Sequence, residues 1–536
     1  MLERYKKYET KMPIQEAFFY GFFFLLSVTK GFGFYEWQKP FILLVIPALI
    51  LGFLKVLFTP YTKKQAVVVF LLLLLTAVVF LRSHQIAVFF VAFTVLGMKG
   101  MSLKKILHLA AWVWTVCAIL LSCVCFFCLE HTVYRVHTKL GLGPIFRWSL
   151  GFTHPNILHI TYLFFCALII LKLEDRYDFR TYLLLMFGNV LVFFYSVSFT
   201  GGGIVVLLLT GGLYVRLRPR FCLAEKLLAN LVLPVCLIMA FVLPFFLYDY
   251  GRISAIVQKL NFMLNTRIWL AEQFLRSEYT SLFGADVSRV VKSSMNMDCS
   301  YIWCYINYGL VFTAVILLGY VWLVLDESRK QRTRELVIVV CFLAAGWTEQ
   351  LLFNTSFKNI TLLFLGALLF RQKEGEAEYS LLSLLPVRWH EVTIPLVKLP
   401  DTLLTAARAV CRANRKRVYA CAAGGALLGI LLCGLLYREP VGYVVPRFYT
   451  DGREESSVYL ESEKDPDWEG YRILNYKDAE TPMQIVTGKA VKLETARYYV
   501  GCALIGGCLA AAALILWNMG RRPSAWAVTE ISGYDA

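Results

Sequence analysis

The sequence lacks several features that would fix its class at once. No cleavable leader is expected: the basic run Met1–Lys11 precedes an apolar segment, Ile14–Thr29, that ends in Thr-Lys-Gly-Phe-Gly without a small-residue cleavage site. That segment reads as a first membrane span. Nor is there a disulfide framework. Most of the 15 cysteines lie inside apolar runs, Cys117, Cys123, Cys125 and Cys128 on one helix, and the polar segment 438–497 has none. They read as small packing residues, and those four have no histidine at metal-ligand spacing. No internal repeat and no pair of matching halves is visible, which argues against common transporter architectures. Stretches such as Phe41–Leu54 and Val67–Val79 carry no charge, whereas a transporter is expected to hold charged residues at mid-depth in several spans.

Apolar length is what the chain has in excess. Its 536 residues are 58% hydrophobic and 15% aromatic, with a mean hydropathy of +0.60. The apolar residues come in long unbroken runs, so an all-α, polytopic transmembrane bundle is expected. At about twenty residues per span, helices are expected at roughly 14–29, 39–58, 65–82, 84–98, 105–129, 156–172 and 181–198. Further ones follow at roughly 201–216, 227–247, 299–325, 336–352, 358–370, 418–437 and 498–518, about fourteen in all.

A formal charge of +17 would suggest nucleic acid in a soluble protein. Here it tracks the bilayer instead. With a cytoplasmic N-terminus, the short loops holding Lys63-Lys64, Lys99 to Lys105, Arg216 to Arg220 and Arg329 to Arg334 all fall inside, and both termini come out cytoplasmic. No nucleic-acid partner is expected. Three external segments are long: 130–155, 248–298 and 438–497. The first two are net basic, through Arg135, Lys139 and Arg147, then Arg252, Lys259, Arg267, Arg276, Arg289 and Lys292. Basic residues on the disfavoured side call for an anionic ligand or lipid headgroups.

Four constellations stand out. In Arg147-Trp-Ser-Leu-Gly-Phe-Thr-His154-Pro155-Asn156, Pro155 suits the first turn of a helix and pushes His154 to the cap. The helix N-terminus favours an anion, with Arg147 upstream as a bidentate clamp; the plainer reading is a Pro-capped helix with a headgroup-anchoring arginine. In Asp298-Cys-Ser300-Tyr301, Asp298 is either an N-cap or a carboxylate acting as general base beside Arg147 and Arg267. The turn Ser196-Val-Ser198-Phe-Thr200-Gly201-Gly-Gly203 lacks the lysine of a phosphate loop and fits close helix packing better. Glu349, near the end of a span, is a functional candidate or a partner for an external arginine. A further stretch, Leu264 to Arg276, puts Leu264, Ile268, Ala271 and Leu275 on one helical face and is expected to lie in the interface plane, ended by Gly284 and Asp286.

The order of these elements resembles the O-antigen ligase and polysaccharide polymerase superfamily over roughly residues 14–371. The resemblance rests on Arg147…Gly151-Phe-Thr-His154-Pro155-Asn156, Ser198-Phe-Thr-Gly-Gly-Gly, Asn265-Thr-Arg267 with Leu282-Phe-Gly284, Asp298-Cys-Ser-Tyr301 to Tyr308-Gly309, and the late Glu349. It implies a GT-C-like, metal-independent membrane glycosyltransferase without cofactor, working at the outer face of the plasma membrane on a glycan carried by polyprenyl (undecaprenyl) pyrophosphate. Arg147 and Arg267 match the pyrophosphate-holding arginines best, with Arg252 and Arg276 in reserve. Asp298 or His154 would take the acceptor proton, and Asn156, Ser300, Tyr301 and Glu349 would line the substrate. Ligases carry a histidine eleven residues before a glycine; here Asp298 precedes Gly309 at that spacing, which favours a polymerase. The Arg-x10-Gly spacing of some polymerase loops is absent.

The expected activity is therefore polymerisation of lipid-linked repeat units for surface, capsular, exopolysaccharide or O-antigen chains. The alternatives are a ligase passing a finished glycan to a lipid or protein, and a glycan or lipid exporter with no chemistry. Expected boundaries are a polytopic domain over 1–371, a basic cytoplasmic linker over 372–417, a two-span module over 418–518 enclosing the small external segment 438–497, and a tail over 519–536. The module's layout is like that of chain-length regulators, which makes these and other assembly proteins its expected partners.

Overall fold

The computed structural model describes residues 8–36, 38–127, 134–138, 144–264, 266–287, 297–371, 377–384, 390–396, 407, 409–437, 442–446, 459–460, 471–473, 483–486 and 488–521. It is helical almost throughout. The chain divides into two compact units: a larger one of Lys11–Ser122 with Gly151–Val392, and a smaller one of Met1–Thr10, Cys123–Leu150 and Thr393–Ala536.

The larger unit opens with α1 (Ile14–Gly31), α2 (Lys39–Phe58), α3 (Lys63–Ser83) and α4 (Ala87–Gly97). Helix α5 (Leu103–Phe127) runs into the smaller unit at Cys123. Then come α6 (Pro155–Leu173), α7 (Phe179–Ser196), α8 (Phe199–Leu217), α9 (Leu223–Phe241), α10 (Arg252–Met263) and α11 (Arg267–Leu275). The unit closes with α12 (Ser300–Arg329), α13 (Thr333–Thr348) and α14 (Thr361–Leu369). Local chemistry sets many of these ends. Thr62 and Gln65 form a reciprocal capping box on α3, and Asp178 accepts from the Thr181 amide at the start of α7.

Among the described residues, ten helices are long and apolar enough to cross a membrane: α2, α3, α5 to α9, α12, and the two C-terminal helices. Their outward faces are apolar. Val67, Phe70, Leu71 and Leu74 on α3, and Leu227, Leu228, Leu231 and Val235 on α9, are exposed at helical spacing, as bilayer contact requires. Helices α4 and α14 are different, because they are apolar on every side and buried nearly throughout. They form the interior of the bundle. Helix α13 has 16 residues and α14 only 9, and between them residues 349–360 are not helical. Leu351, Leu352, Phe353, Lys358 and Asn359 in that stretch are buried. Irregular backbone of this kind survives in an apolar surrounding only where protein groups satisfy it; here Asn359 donates to the Leu352 carbonyl at 2.9 Å and accepts from the Thr361 amide at 3.1 Å.

Strand β1 (Tyr8–Pro13) precedes α1. In the smaller unit, β2 (Tyr134–Thr138) and β3 (Pro144–Trp148) form an antiparallel ribbon that sets Arg135 opposite Arg147. The ribbon is tied to the long C-terminal helix α16 (Lys489–Arg521), where buried Arg497 donates to the Phe146 carbonyl at 2.6 Å and to Glu494 at 2.9 Å. Helix α15 (Arg415–Leu436) packs along α16. The segment between them, expected to be small and external, contains strands. Gly442–Pro446 sits centrally, antiparallel to Met483–Val486 and parallel to Tyr471–Ile473, in a four-stranded mixed sheet. Helix α16 also begins earlier than the apolar run suggested.

Candidate functional site

Helix α6 starts as its sequence dictates. His154 is the N-cap, its Nδ1 accepting from the Asn156 amide at 3.1 Å, and Pro155 occupies the first turn. Asn156 is thereby aimed off the helix end, and its Nδ2 lies 3.3 Å from both carboxylate oxygens of Glu349. Glu349 directly follows α13 and is 6% exposed. Thr200, in the first turn of α8, donates to the same carboxylate at 2.5 Å. Arg267, the first residue of α11, completes the cluster: one terminal nitrogen donates to Glu349 Oε1 at 2.9 Å, and its Nε donates to Asp298 Oδ2 at 3.0 Å.

Ser300, at the start of α12, fixes the backbone around Glu349. Its hydroxyl donates to the Glu349 carbonyl at 2.7 Å and accepts from the Leu351 and Leu352 amides at 3.0 and 3.2 Å. The first residues of α6, α8 and α11 therefore converge on one carboxylate, and the start of α12 holds its backbone. Helix N-termini attract anions, and the anion standing at this junction is the protein's own Glu349.

The electrostatics follow. Arg267 is 11% exposed and Glu349 7% at the side chain, while Asp298 is open at 38%. Burial pulls the Arg267 pKa down, but the Glu349 and Asp298 carboxylates outweigh it and the net shift is upward, so the guanidinium stays charged. Asp298 is the carboxylate a substrate can reach, and Glu349 is locked by its donors. An apolar cleft lined by Met239, Leu264, Ile268 and Trp347 opens beside Arg267.

No family model, no curated protein and no solved structure matches this chain. Function has to be argued from the geometry.

Of the residues singled out in the sequence, Asn156, Arg267, Asp298, Ser300 and Glu349 meet here. Tyr301 is fully buried and its hydroxyl donates to the Leu343 carbonyl at 2.6 Å. Arg252 begins α10 and is exposed. Arg276 pairs with Glu272 at 2.5 Å, one turn back on its helix, and faces the Phe245 ring. Arg147 belongs to the smaller unit, on β3, and is 3% exposed. Asn265 lies outside the described residues, as does the one Asp-x-Asp of segment 438–497, Asp465-Pro466-Asp467.

Two supports were not foreseen. His159, one turn below Asn156, is fully buried; its Nε2 lies 2.7 Å from Asn189 Oδ1 and its Nδ1 3.1 Å from Ser196 Oγ. Asn189 donates through Nδ2 to the Gly202 carbonyl at 3.2 Å, which orients its amide and makes Nε2 the protonated nitrogen of His159. This lock joins α6, α7 and α8, and so fixes Asn156 against Thr200. It also explains Gly201, where a Cβ would fall 2.9 Å from His159 Cβ. The signal was three polar residues inside apolar runs.

The second support joins two motifs that the sequence shows only separately. Gly309 interrupts α12 with φ 80° and ψ 172°. Residues 281–285 cross the break: Ala285 N donates to the Ile306 carbonyl at 3.1 Å, and Leu310 N and Val311 N donate to the Ser281 and Leu282 carbonyls at 3.0 and 3.1 Å. Gly284 lies so close that a Cβ on it would be 2.2 Å from the Asn307 carbonyl oxygen. Both glycines have positive φ, +88° and +80°, which other L residues rarely adopt.

Proposed function

We propose that this chain is a membrane-embedded polysaccharide polymerase, joining oligosaccharide units carried on a polyprenyl diphosphate at the outer face of the plasma membrane. The observation that carries the reading is the meeting of Asn156, Thr200, Arg267, Asp298 and Glu349. Each comes from a different segment of the ordered set on which the family resemblance rests. In this reading the bundle has about twelve core spans of GT-C type plus two C-terminal ones, with both termini cytoplasmic. The C-terminal pair serves as a docking module for other assembly proteins.

The reaction joins an acceptor hydroxyl to the anomeric carbon of the donor sugar. Asp298 takes the hydroxyl proton as the new C–O bond forms. The bond from the anomeric carbon to the diphosphate oxygen breaks, and the diphosphate leaves with its electron pair. Among the described residues Arg267 still has unused N–H groups, and these can donate to the leaving group as its charge grows. Glu349 holds Arg267 in place.

The test uses purified protein in vesicles supplied with lipid-linked oligosaccharide, read as a glycan ladder on a gel. Asp298→Asn keeps the shape and removes the base; chain extension should fall by about 10²–10⁴-fold, as for loss of a general base. A full-length ladder from Asp298→Asn, at normal protein level, excludes the reading.

A further inference from the structure

Lys358 lies in the non-helical stretch after Glu349 and is 2% exposed. Its ammonium is 5.3 Å from the centre of the Trp114 ring and 5.5 Å from that of Phe152. Among the described residues it has no carboxylate partner and no hydrogen-bond acceptor. Trp114 is 1% exposed, and its indole N–H also lacks an acceptor among the described residues. A second buried ammonium, Lys30, is within electrostatic range of Lys358; it donates to the Phe34 carbonyl at 2.9 Å and sits 4.5 Å from the Phe41 ring. The acidic influence on Lys30 is Glu36, which is exposed and acts on it without an ion pair.

Aromatic faces offset part of the desolvation of an ammonium, but they do not accept its N–H bonds as oxygen does. The place has an excess of N–H donors and lacks an acceptor to match them; burial lowers the Lys358 pKa to about 7, and an oxyanion beside it would favour the ammonium form. The Arg267 cluster is the reverse, since its cation is already covered by two carboxylates.

We propose that Lys358, walled by Trp114 and Phe152 and backed by Lys30, is a phosphate-oxyanion subsite, and that its occupant is a phosphate of the membrane-borne glycan donor. The choice of donor phosphate rests on the polymerase reading; the subsite itself does not. A phospholipid headgroup presents the same chemistry, so the test separates the two sources.

The full chain is placed in nanodiscs of neutral phosphatidylcholine, and its thermal unfolding is followed with and without inorganic pyrophosphate at constant ionic strength. Pyrophosphate should raise the Tm of the unaltered protein, as a ligand of the folded state does. Lys358→Met should have a higher Tm than the parent without anion, because an uncovered buried cation is gone, and should lose the pyrophosphate response with at least a tenfold fall in apparent affinity. Lys358→Gln serves as the second variant if Met misfolds. A lower Tm with an unchanged response to pyrophosphate, in either variant, overturns the subsite. Stabilisation by phosphatidylglycerol discs but not by pyrophosphate overturns the donor assignment and gives the subsite to a headgroup. Asp298→Asn keeps the two readings apart: it should extend no glycan yet respond to pyrophosphate like the parent. If it extends glycan normally, the polymerase mechanism fails and the subsite stands.

Discussion

A double-mutant cycle on Arg267 and Glu349 tests the centre of the site directly. The two side chains are 11% and 7% exposed and 2.9 Å apart, so solvent screens the pair little. Removing one member of a buried pair strands the other, at about 3–5 kcal/mol. The two single changes are not equivalent. Arg267→Ala takes the guanidinium from the buried Glu349 carboxylate, to which Asn156 and Thr200 offer neutral donors, so a penalty of about 3–5 kcal/mol is expected. Glu349→Gln leaves Arg267 its bond to Asp298, which at 38% exposure supports it by less than about 1 kcal/mol. About 2–3 kcal/mol is expected for that change. In the double variant no charge is stranded, and its cost should fall short of the sum of the singles by about 1.5–3 kcal/mol. Thermal unfolding of the purified protein in one detergent gives all four corners, and reversibility checks that free energies can be taken from them. Additive effects, or single variants that melt with the parent, refute the buried pair and with it the geometry that holds Asp298 in place.

Two further outcomes follow from backbone geometry. Gly309→Ala combines a positive φ with a Cβ 2.3 Å from the Gly284 amide nitrogen; the backbone must shift, and a loss of more than about 3 kcal/mol, seen as a collapse in yield of folded protein, is expected. Ser300→Ala removes one donor and one acceptor from three bonds around Glu349 and should cost about 1–3 kcal/mol in unfolding experiments, with the larger part from the stranded Leu351 and Leu352 amides.

The bundle was legible because the bilayer demands long apolar runs, and each expected segment contains a helix. Pro155 and His154 were legible for a local reason, since the proline ring dictates both positions. Glu349 was equally open to two readings, a functional carboxylate or a partner for an arginine, and it is paired with Arg267. Other features were hidden because they depend on distant chain. Residues 336–352 and 358–370 look like two ordinary spans, yet the helices are short and a buried irregular stretch joins them, which periodicity alone does not reveal. Lys358 sat inside one of those runs and drew no notice. Helix α10 carries Ile253, Ile256, Val257 and Leu260 at helical spacing, but at 12 residues it is too short to register as a span. The crossing of residues 281–285 over α12 is made by backbone bonds, and its only sequence marks were Gly284 and Gly309.

That crossing divides α12 into two mechanical pieces. Residues 281–285 hold both: Ala285 bonds to Ile306 on the short piece, and Leu310 and Val311 on the long one bond to Ser281 and Leu282. With Ser300 fastened by three hydrogen bonds at its far end, the short piece is clamped at both ends, so the place of Asp298 is set jointly by the crossing and by the backbone around Glu349.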